Sequence, residues 1–235
     1  MINLNPNIER INKKYLSSNE YVQHFLIGSN LSYNDFLNFH FDAEPKTQNY
    51  EIRAFQFRTM LGVWRWKGIF TYRDTFISII FNDKLKGVDF GGSQGPVAPH
   101  VDIVDLENTD YYGRPIKYHK LSEVEYPIDY IFSSHTLEHI PNLEEVVEEM
   151  YEALEEDGIL ALNLPSYSCK RWWANTGNWM GGTPHVHTFK LKKTTNVSEG
   201  ISNLINIDEL LESKGFKIAL AEYAGDNNII IFAEK

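Results

Sequence analysis

The stretch from Ile128 to Pro165 contains a complete strand–helix–strand pattern, IDYIFSSHTLEHIPNLEEVVEEMYEALEEDGILALNLP. An apolar strand leads into a polar elbow with two histidines, and an amphipathic helical segment then leads into a second apolar strand. Short apolar runs that alternate with helical segments are typical of βα units and of a parallel sheet. The stretch therefore predicts an α/β fold.

A helix is predicted over residues 143–156. Its apolar side chains recur at intervals of three and four residues and form one face: Leu143, Val146, Val147, Met150, Tyr151 and Leu154. The glutamates of the segment lie off this face, which favours a solvated surface over a metal site. Asn142 is placed to cap the helix, and Gly158 is placed to end it.

The strand and helix pattern continues on both sides of this stretch, from Leu85 to the end of the chain. Strands are predicted at 86–90, 101–105, 116–119, 128–133, 158–164, 216–222 and 227–233. A second helix is predicted over roughly 203–214. Residues 166–200 form a long loop of the kind that covers a site.

Residues 1–84 differ from the rest of the chain, because they are rich in asparagine and aromatic residues and lack the alternating pattern. They predict a helical and aromatic cap segment that precedes a domain at 85–235. Helical stretches are expected around 19–25, 33–39 and 73–81.

Composition narrows the class of partner. The chain has 22 Lys and Arg against 32 Asp and Glu, a net charge of −10, which argues against a nucleic-acid partner. Its one cysteine, Cys169, excludes an intrachain disulfide. The N-terminus lacks the apolar core of a signal peptide, and the aliphatic and aromatic runs are too short to cross a bilayer. We therefore expect a cytoplasmic protein with no membrane partner.

A glycine-rich turn, Gly91-Gly92-Ser93-Gln94-Gly95, follows the first predicted strand. Glycines at this position let the backbone approach a ligand at the carboxyl edge of a parallel sheet. Asp89 ends the first strand, and Asp105 ends the next, where an acidic residue binds ribose hydroxyls in nucleoside-binding α/β folds. The spacing is not G-x-G-x-x-G, which argues against a nicotinamide-dependent oxidoreductase. By itself the turn is also compatible with an ordinary βα loop.

The elbow, Ser133 to Pro141, carries the pattern H-x-L-E-H. With EDG before the following strand, NLP at its end, and HVHTF and ESKGF further on, it resembles the class I S-adenosylmethionine-dependent methyltransferases. The resemblance covers about residues 85 to 235. It implies a Rossmann-like, seven-stranded sheet with helices on both faces and an antiparallel last strand.

The resemblance also implies where S-adenosylmethionine binds. The residues that would line its methionine part are Asp89, Gly91, Gly92, Ser93 and Gly95. Asp105 would hold the ribose, Leu106 would touch the adenine, and Ser133, Ser134 and His135 would lie beside the reacting methyl. The chain departs from the family at Gly92-Ser93, where a second glycine is usual. It departs again in HKLSEVEYP, which lacks the usual acidic residue near the adenine.

Methyl transfer from a sulfonium is a displacement on an activated donor, so the protein mainly aligns the acceptor, the methyl and the leaving sulfur. A hydroxyl acceptor must also lose a proton, which suits a histidine with a pKa near neutrality. A carboxylate acceptor needs no base, and an amine needs only its neutral form.

Four histidines are candidate catalytic residues: His135 and His139 in the elbow, and His185 and His187 after the long loop. His139 is equally suited to bracing the elbow, and His135 to lining the cofactor site. His185 and His187 alternate in an extended stretch and should face opposite ways. None of them forms an HxxxH pair within a predicted helix, and no cysteine cluster accompanies them, so no metal is expected.

These features predict a methyltransferase that acts on a small polar acceptor, a hydroxyl of a sugar or nucleotide-linked sugar in surface-polysaccharide or capsule biosynthesis. The preference rests on the acidic charge, on resemblance to stand-alone bacterial enzymes, and on the loop tryptophans Trp172, Trp173 and Trp179. These rings are suited either to stacking on a sugar or to sealing the site. The alternatives are an N- or carboxyl-methyltransferase for another small metabolite, and a non-catalytic S-adenosylmethionine-binding protein. The sequence does not fix the oligomeric state.

Overall fold

A computed structural model describes the main domain and a small part of the predicted cap segment. The described residues are 75–76, 79–80, 82, 84–94, 97, 101–110, 113–175, 184–197, 199–224 and 227–235. The predicted helical stretches at 19–25 and 33–39 lie outside these residues, as do Gly95 and Trp179.

The described residues form eight strands and two α-helices with defined bounds, and residues 75–76 and 79–80 are also helical, within the helix predicted at 73–81. The strands are β1 (Gly87–Phe90), β2 (Asp102–Val104), β3 (Ile128–Ser134), β4 (Leu154–Pro165), β5 (Thr188–Lys190), β6 (Leu204–Asn206), β7 (Lys217–Ala224) and β8 (Asn228–Glu234). The helices are α1 (Leu143–Ala153) and α2 (Ile207–Ser213).

The main sheet confirms the predicted α/β class and the Rossmann-like arrangement. Its strand order is β2-β1-β3-β4-β8-β7. Strands β2, β1, β3 and β4 are parallel, and β8 is antiparallel to both β4 and β7, as expected for the last strand. Because β1, β3 and β4 are parallel, the turn after β1 and the elbow after β3 meet at one edge of the sheet.

The predicted count of seven strands is wrong, because the described part of the sheet has six. The predicted strand at 116–119 makes only one parallel bridge, between Tyr118 and Val104 of β2. The backbone N–H of Asp105 also donates to the Tyr118 carbonyl at 3.2 Å. Strand β2 is three residues long, so it offers too short an edge for a further ladder to extend.

Helix α1 begins as predicted after Asn142 but ends at Ala153, because β4 starts at Leu154 and pairs with β3. The prediction that Gly158 ends the helix is therefore wrong, and Gly158 lies within β4. A Cβ on Gly158 would lie 2.8 Å from the Glu155 carbonyl oxygen, so a close backbone approach explains the glycine.

The second predicted helix and the long loop also gain strand structure. The first residues of the helix predicted over 203–214 form β6, and only the remainder forms α2. Strand β6 pairs in parallel with β5, which lies inside the predicted loop 166–200. This local pairing ties the end of the loop to the start of α2.

Helices cover both faces of the sheet, as expected. Val147 of α1 and Leu211 of α2 are buried in one cluster with alternate residues of β3, β4 and β8. On the opposite face, the ring of Phe76 packs against those of Phe132 and Phe232, with centroids 5.7 and 4.9 Å away. Within the described part of the chain, no helix combines the length and the apolar character needed to span a bilayer.

Candidate functional site at the carboxyl edge of the sheet

The turn after β1 packs directly against the elbow after β3. Gly91 has a φ of +81°, a conformation that favours glycine. A Cβ on Gly91 would overlap the side chain of Thr136 in the elbow. The Gly91 N–H also donates to the Val104 carbonyl of β2 at 2.9 Å. Glycine is therefore required here, and the turn and the elbow form one continuous surface.

Asp89 is buried beneath this turn. Its carboxylate accepts a hydrogen bond from the Val97 N–H at 2.7 Å, and a Cβ on Gly92 would overlap it. The glycine at 92, one of the departures from the family pattern, thus makes room for Asp89. Burial raises the pKa of Asp89 to about 7, with a smaller contribution from the charge of Asp105.

Asp105 links the end of β2 to the glycine-rich turn. One carboxylate oxygen accepts the Ser93 N–H at 3.0 Å, and the other accepts the Glu107 N–H at 3.1 Å. Leu106, which lies between Asp105 and Glu107 in the sequence, has 87% of its surface exposed. An acidic and an exposed apolar side chain therefore stand side by side next to the turn.

The elbow begins with two serines that are held by neighbouring strands. The Ser133 hydroxyl donates to the Phe90 carbonyl at 3.0 Å, and the Ser134 hydroxyl accepts from the Asn163 amide at 3.0 Å. His135 follows with a φ of 52°, which is unusual for a residue other than glycine, and its N–H donates to the Asn163 carbonyl at 2.9 Å. Left-handed backbone of this kind is typical of functional sites.

A buried carboxylate, Glu138, lies at the centre of the elbow. It is completely buried, and no hydrogen-bond partner for either of its oxygens is found among the residues that the structure describes. Three histidine nitrogens face its Oε1 atom: His135 Nδ1 at 3.5 Å, His139 Nε2 at 3.8 Å and His185 Nε2 at 3.9 Å. We call Glu138 and these three histidines the Glu138 cluster. Burial raises the pKa of Glu138 to about 8.

The imidazoles of the Glu138 cluster are held in place from outside it. Through the other ring nitrogen, each hydrogen-bonds a protein oxygen: His135 Nε2 to Asn228 Oδ1 at 2.7 Å, His139 Nδ1 to the Pro184 carbonyl at 3.3 Å, and His185 Nδ1 to the Trp172 carbonyl at 2.9 Å. The His139 and His185 rings meet edge-on, with centroids 4.7 Å apart. Burial lowers the pKa of His135 to about 4, and the nearby imidazoles of His185 and His139 lower it further.

His187 lies apart from the Glu138 cluster. Its Nε2 donates to the Ile140 carbonyl at 2.9 Å, and its ring stacks on Phe189 with a centroid distance of 6.3 Å. The structure therefore gives His185 and His187 different neighbours, in agreement with the expected alternation. Of the loop tryptophans, Trp172 packs edge-on against His135 at 5.2 Å.

A surface hollow lies beside the His135 end of the Glu138 cluster. Its lining includes Asn228, which hydrogen-bonds His135, together with Tyr167, Ser168, Tyr223, Ala224 and Asn227. A second and larger hollow lies at the opposite edge of the sheet and is lined in part by Tyr126 and Ile128. Ligands bind parallel α/β sheets at the carboxyl edge, so the smaller hollow is the one that belongs to the site.

Sequence reasoning did not include Glu138, Asn163 or Asn228 among the site residues. Glu138 carried a readable signal, because an acidic residue between two histidines directly follows a buried strand. Asn228 carried none, because it lies 93 residues from His135 in the chain. Only the antiparallel placement of β8 beside β4 brings its amide to the elbow.

A family model described as a methyltransferase domain matches residues 67–218. No curated protein matches the chain. Solved structures of similar fold include an S-adenosylmethionine-dependent methyltransferase from Clostridium acetobutylicum, 11% identical, TM-score 0.49, covering 79% of this chain and 98% of that one. Another, from Mesorhizobium loti, is 15% identical with a TM-score of 0.43 and covers 64% of this chain and 91% of that one.

Proposed function

We propose that this chain methylates a small polar acceptor. The chain belongs to the family of methyltransferase domains and is a class I S-adenosylmethionine-dependent methyltransferase. The acceptor group that we favour is a hydroxyl of a sugar or a nucleotide-linked sugar. The observation that carries the proposal is the hollow beside His135, whose lining combines tyrosines with serine and asparagine side chains. Such a lining offers both ring faces and hydrogen-bonding groups to a polyhydroxylated molecule.

For the cofactor we propose the glycine-rich turn and the end of β2. The methionine part would lie along Asp89, Gly91, Gly92, Ser93 and Gly95, and Ser133 and Ser134 would flank the methyl. Asp105 would hold the ribose, since an ionised carboxylate has acceptor sites beyond the two that its N–H donors use. The exposure of Leu106 supports a contact with the adenine, because the apolar side chain has little protein cover.

For the acceptor we propose contact with His135. A quarter of its side-chain surface is exposed, and its Nε2 hydrogen-bonds Asn228, which lines the hollow. His139 and His185 would position the elbow through Glu138, and His187 would hold the Ile140 backbone. Methyl transfer needs this kind of fixed alignment, since small displacements of the reacting groups reduce the rate strongly.

A carboxylate acceptor is the second candidate, and one observation favours it. Burial lowers the pKa of His135 to about 4, so this imidazole is a weak base. General-base catalysis works best when the pKa of the base lies near the working pH. A carboxylate requires no base, whereas a hydroxyl does.

The test combines binding with a panel of acceptors. Calorimetry should show that the purified chain binds S-adenosylmethionine and not NAD. With methyl-labelled cofactor, we expect label in nucleotide sugars or free sugars. Label found only in carboxylate or amine metabolites would contradict the favoured acceptor, and binding without transfer to any acceptor would favour a non-catalytic role.

A pair of tyrosine variants tests the place of the acceptor. Tyr167→Ala removes a ring from the hollow beside His135, whereas Tyr126→Ala removes one from the hollow at the opposite edge. We expect Tyr167→Ala to raise the KM for the acceptor by about tenfold, the loss of roughly 1.4 kcal/mol of binding, with the Kd for cofactor unchanged. An increase with Tyr126→Ala instead would place the acceptor at the other edge.

A further inference from the structure

We propose that Glu138, His139 and His185 form a binding site for a divalent transition-metal ion of the zinc class, with His135 at its edge. This departs from the sequence-based expectation of no metal. The inference rests on the positions of side chains alone, so it stands or falls independently of the proposed acceptor.

The three side chains form a compact set of ligand atoms. Among the residues that the structure describes, one atom each from Glu138, His139 and His185 lies within 4.8 Å of the other two. Glu138 Oε1 is 3.8 Å from His139 Nε2 and 3.9 Å from His185 Nε2. Zinc with ligand bonds of about 2.0–2.1 Å in tetrahedral geometry sets ligand atoms about 3.3 Å apart. The two distances from Glu138 to the histidines exceed this value by about half an ångström, and binding would draw the three ligand atoms together.

The hydrogen bonds around the histidines direct lone pairs toward this point. Pro184 and Trp172 offer carbonyl oxygens, which can only accept, so His139 and His185 carry their ring protons on Nδ1. The Nε2 atoms that face Glu138 are then unprotonated. Histidines that bind metals have this arrangement, with the second ring nitrogen donating to a carbonyl or carboxylate.

The Glu138 carboxylate supplies the independent observation. It is fully buried, and within the described part of the chain neither oxygen has a hydrogen-bond partner, which is rare for buried polar groups in proteins. A metal ion between the imidazole lone pairs and the carboxyl oxygens would give all of these atoms a partner. The shortest separation, 3.5 Å to His135 Nδ1, is longer than the usual hydrogen bond, so a shared proton does not account for the geometry.

The backbone holds the two halves of the site together. The Glu138 carbonyl accepts the N–H groups of Val186 and His187, at 2.8 and 3.2 Å. These bonds fix the segment that carries His185 against the elbow. Two imidazoles and one carboxylate suit zinc and its first-row neighbours, whereas magnesium prefers oxygen ligands alone.

The site can be tested on the full chain after dialysis against a chelator. We expect Zn²⁺ to bind with one equivalent in calorimetry, and Co²⁺ to give visible absorption bands of a low-symmetry site that Zn²⁺ displaces. Glu138→Gln and His185→Asn should each weaken Co²⁺ binding by at least about tenfold, since even changes outside the ligand shell have effects of this size. The matched control is His187→Asn, two residues from His185 with its ring on another carbonyl, which should bind Co²⁺ as the unaltered chain does.

Failure of the unaltered chain to bind Zn²⁺ or Co²⁺ would overturn the proposal, as would binding that Glu138→Gln and His185→Asn leave unchanged. Equal competition by Mg²⁺ would overturn the transition-metal assignment. His139→Asn provides a further variant in case the buried substitutions unfold the chain, because 30% of the His139 side chain is exposed. Circular dichroism and cooperative thermal unfolding verify the fold of each variant, and methyl transfer does not enter the readout.

Discussion

The glycine-rich turn and the elbow each bury a carboxylate at the same edge of the sheet, but the two carboxylates differ in the hydrogen bonds that they accept. In the turn, Asp89 and Asp105 accept backbone N–H groups from Val97, Ser93 and Glu107. In the elbow, Glu138 receives no hydrogen bond from any residue in the described ranges. A buried carboxylate needs donors or a positive charge. The described residues therefore provide donors for the carboxylates of the turn, whereas Glu138 is left for the metal ion proposed above.

The largest expected effect concerns the pH dependence of stability in the turn. Burial raises the pKa of Asp89 from 3.8 to about 7, so the folded chain binds a proton more tightly than the unfolded chain. The stability that the folded chain gains from binding this proton is fully present below pH 4 and is lost as the pH rises through 7. Three pKa units correspond to about 4 kcal/mol as an upper figure. Asp89→Asn keeps an acceptor for Val97 and should remove this loss.

The measurement for Asp89 is the free energy of unfolding from denaturant titrations between pH 4 and 8. The difference between Asp89→Asn and the unaltered chain should grow in favour of the variant up to about pH 7 and then level off. A difference that stays constant over this range would mean that Asp89 is ionised in the folded chain throughout.

The close contact between the turn and the elbow should give the next largest effect. Gly91 and Gly113 both have positive φ, 81° and 74°, but only a Cβ on Gly91 would meet another residue, Thr136. We expect Gly113→Ala to cost about 1 kcal/mol from backbone strain alone, and Gly91→Ala about 3 kcal/mol from strain plus overlap. Equal shifts in the denaturant midpoint for the two variants would show that the turn can move away from the elbow.

The carboxylates of Asp105 and Glu138 should respond differently to replacement by an amide. Asp105→Asn places an NH₂ group against one of the two N–H donors, so we expect a loss of about 2 kcal/mol in the free energy of unfolding. Recovery of that loss in Asp105→Ala would identify the opposed donors as the cause. A neutral Asp105→Asn would mean that these hydrogen bonds contribute nothing to stability.

Glu138→Gln should have the smallest effect on the metal-free chain, less than about 1 kcal/mol, because no donor is lost. Thermal unfolding in excess Zn²⁺ should then give different unfolding temperatures for the unaltered chain and for Glu138→Gln. The unaltered chain should gain stability with rising Zn²⁺ concentration, and Glu138→Gln should gain much less. A parallel rise for both would place the bound ion elsewhere.

Much of this fold was readable from the residues themselves. Helix α1 follows from its apolar spacing, and β3, β4 and β8 follow from their unbroken apolar runs, because periodicity and burial are local properties of the chain. The end of α1 was not readable, since Leu154 has a partner in β3 that takes it from the helix. The strand predicted at 116–119 does not form a ladder for a similar reason, because β2, its neighbour among the described strands, is three residues long.

The sequence alone determined the family of the elbow and the histidines worth naming. It also indicated the glycines at 91 and 92, but the side chains that leave no room for a Cβ there, Thr136 and Asp89, are placed against them by the fold. Only the tertiary structure decided which histidines lie close together. The fold places His135, His139 and His185 around Glu138, whereas His187 hydrogen-bonds the Ile140 carbonyl. Distances between side chains from different strands depend on how the sheet is ordered, and no local pattern in the chain specifies that order.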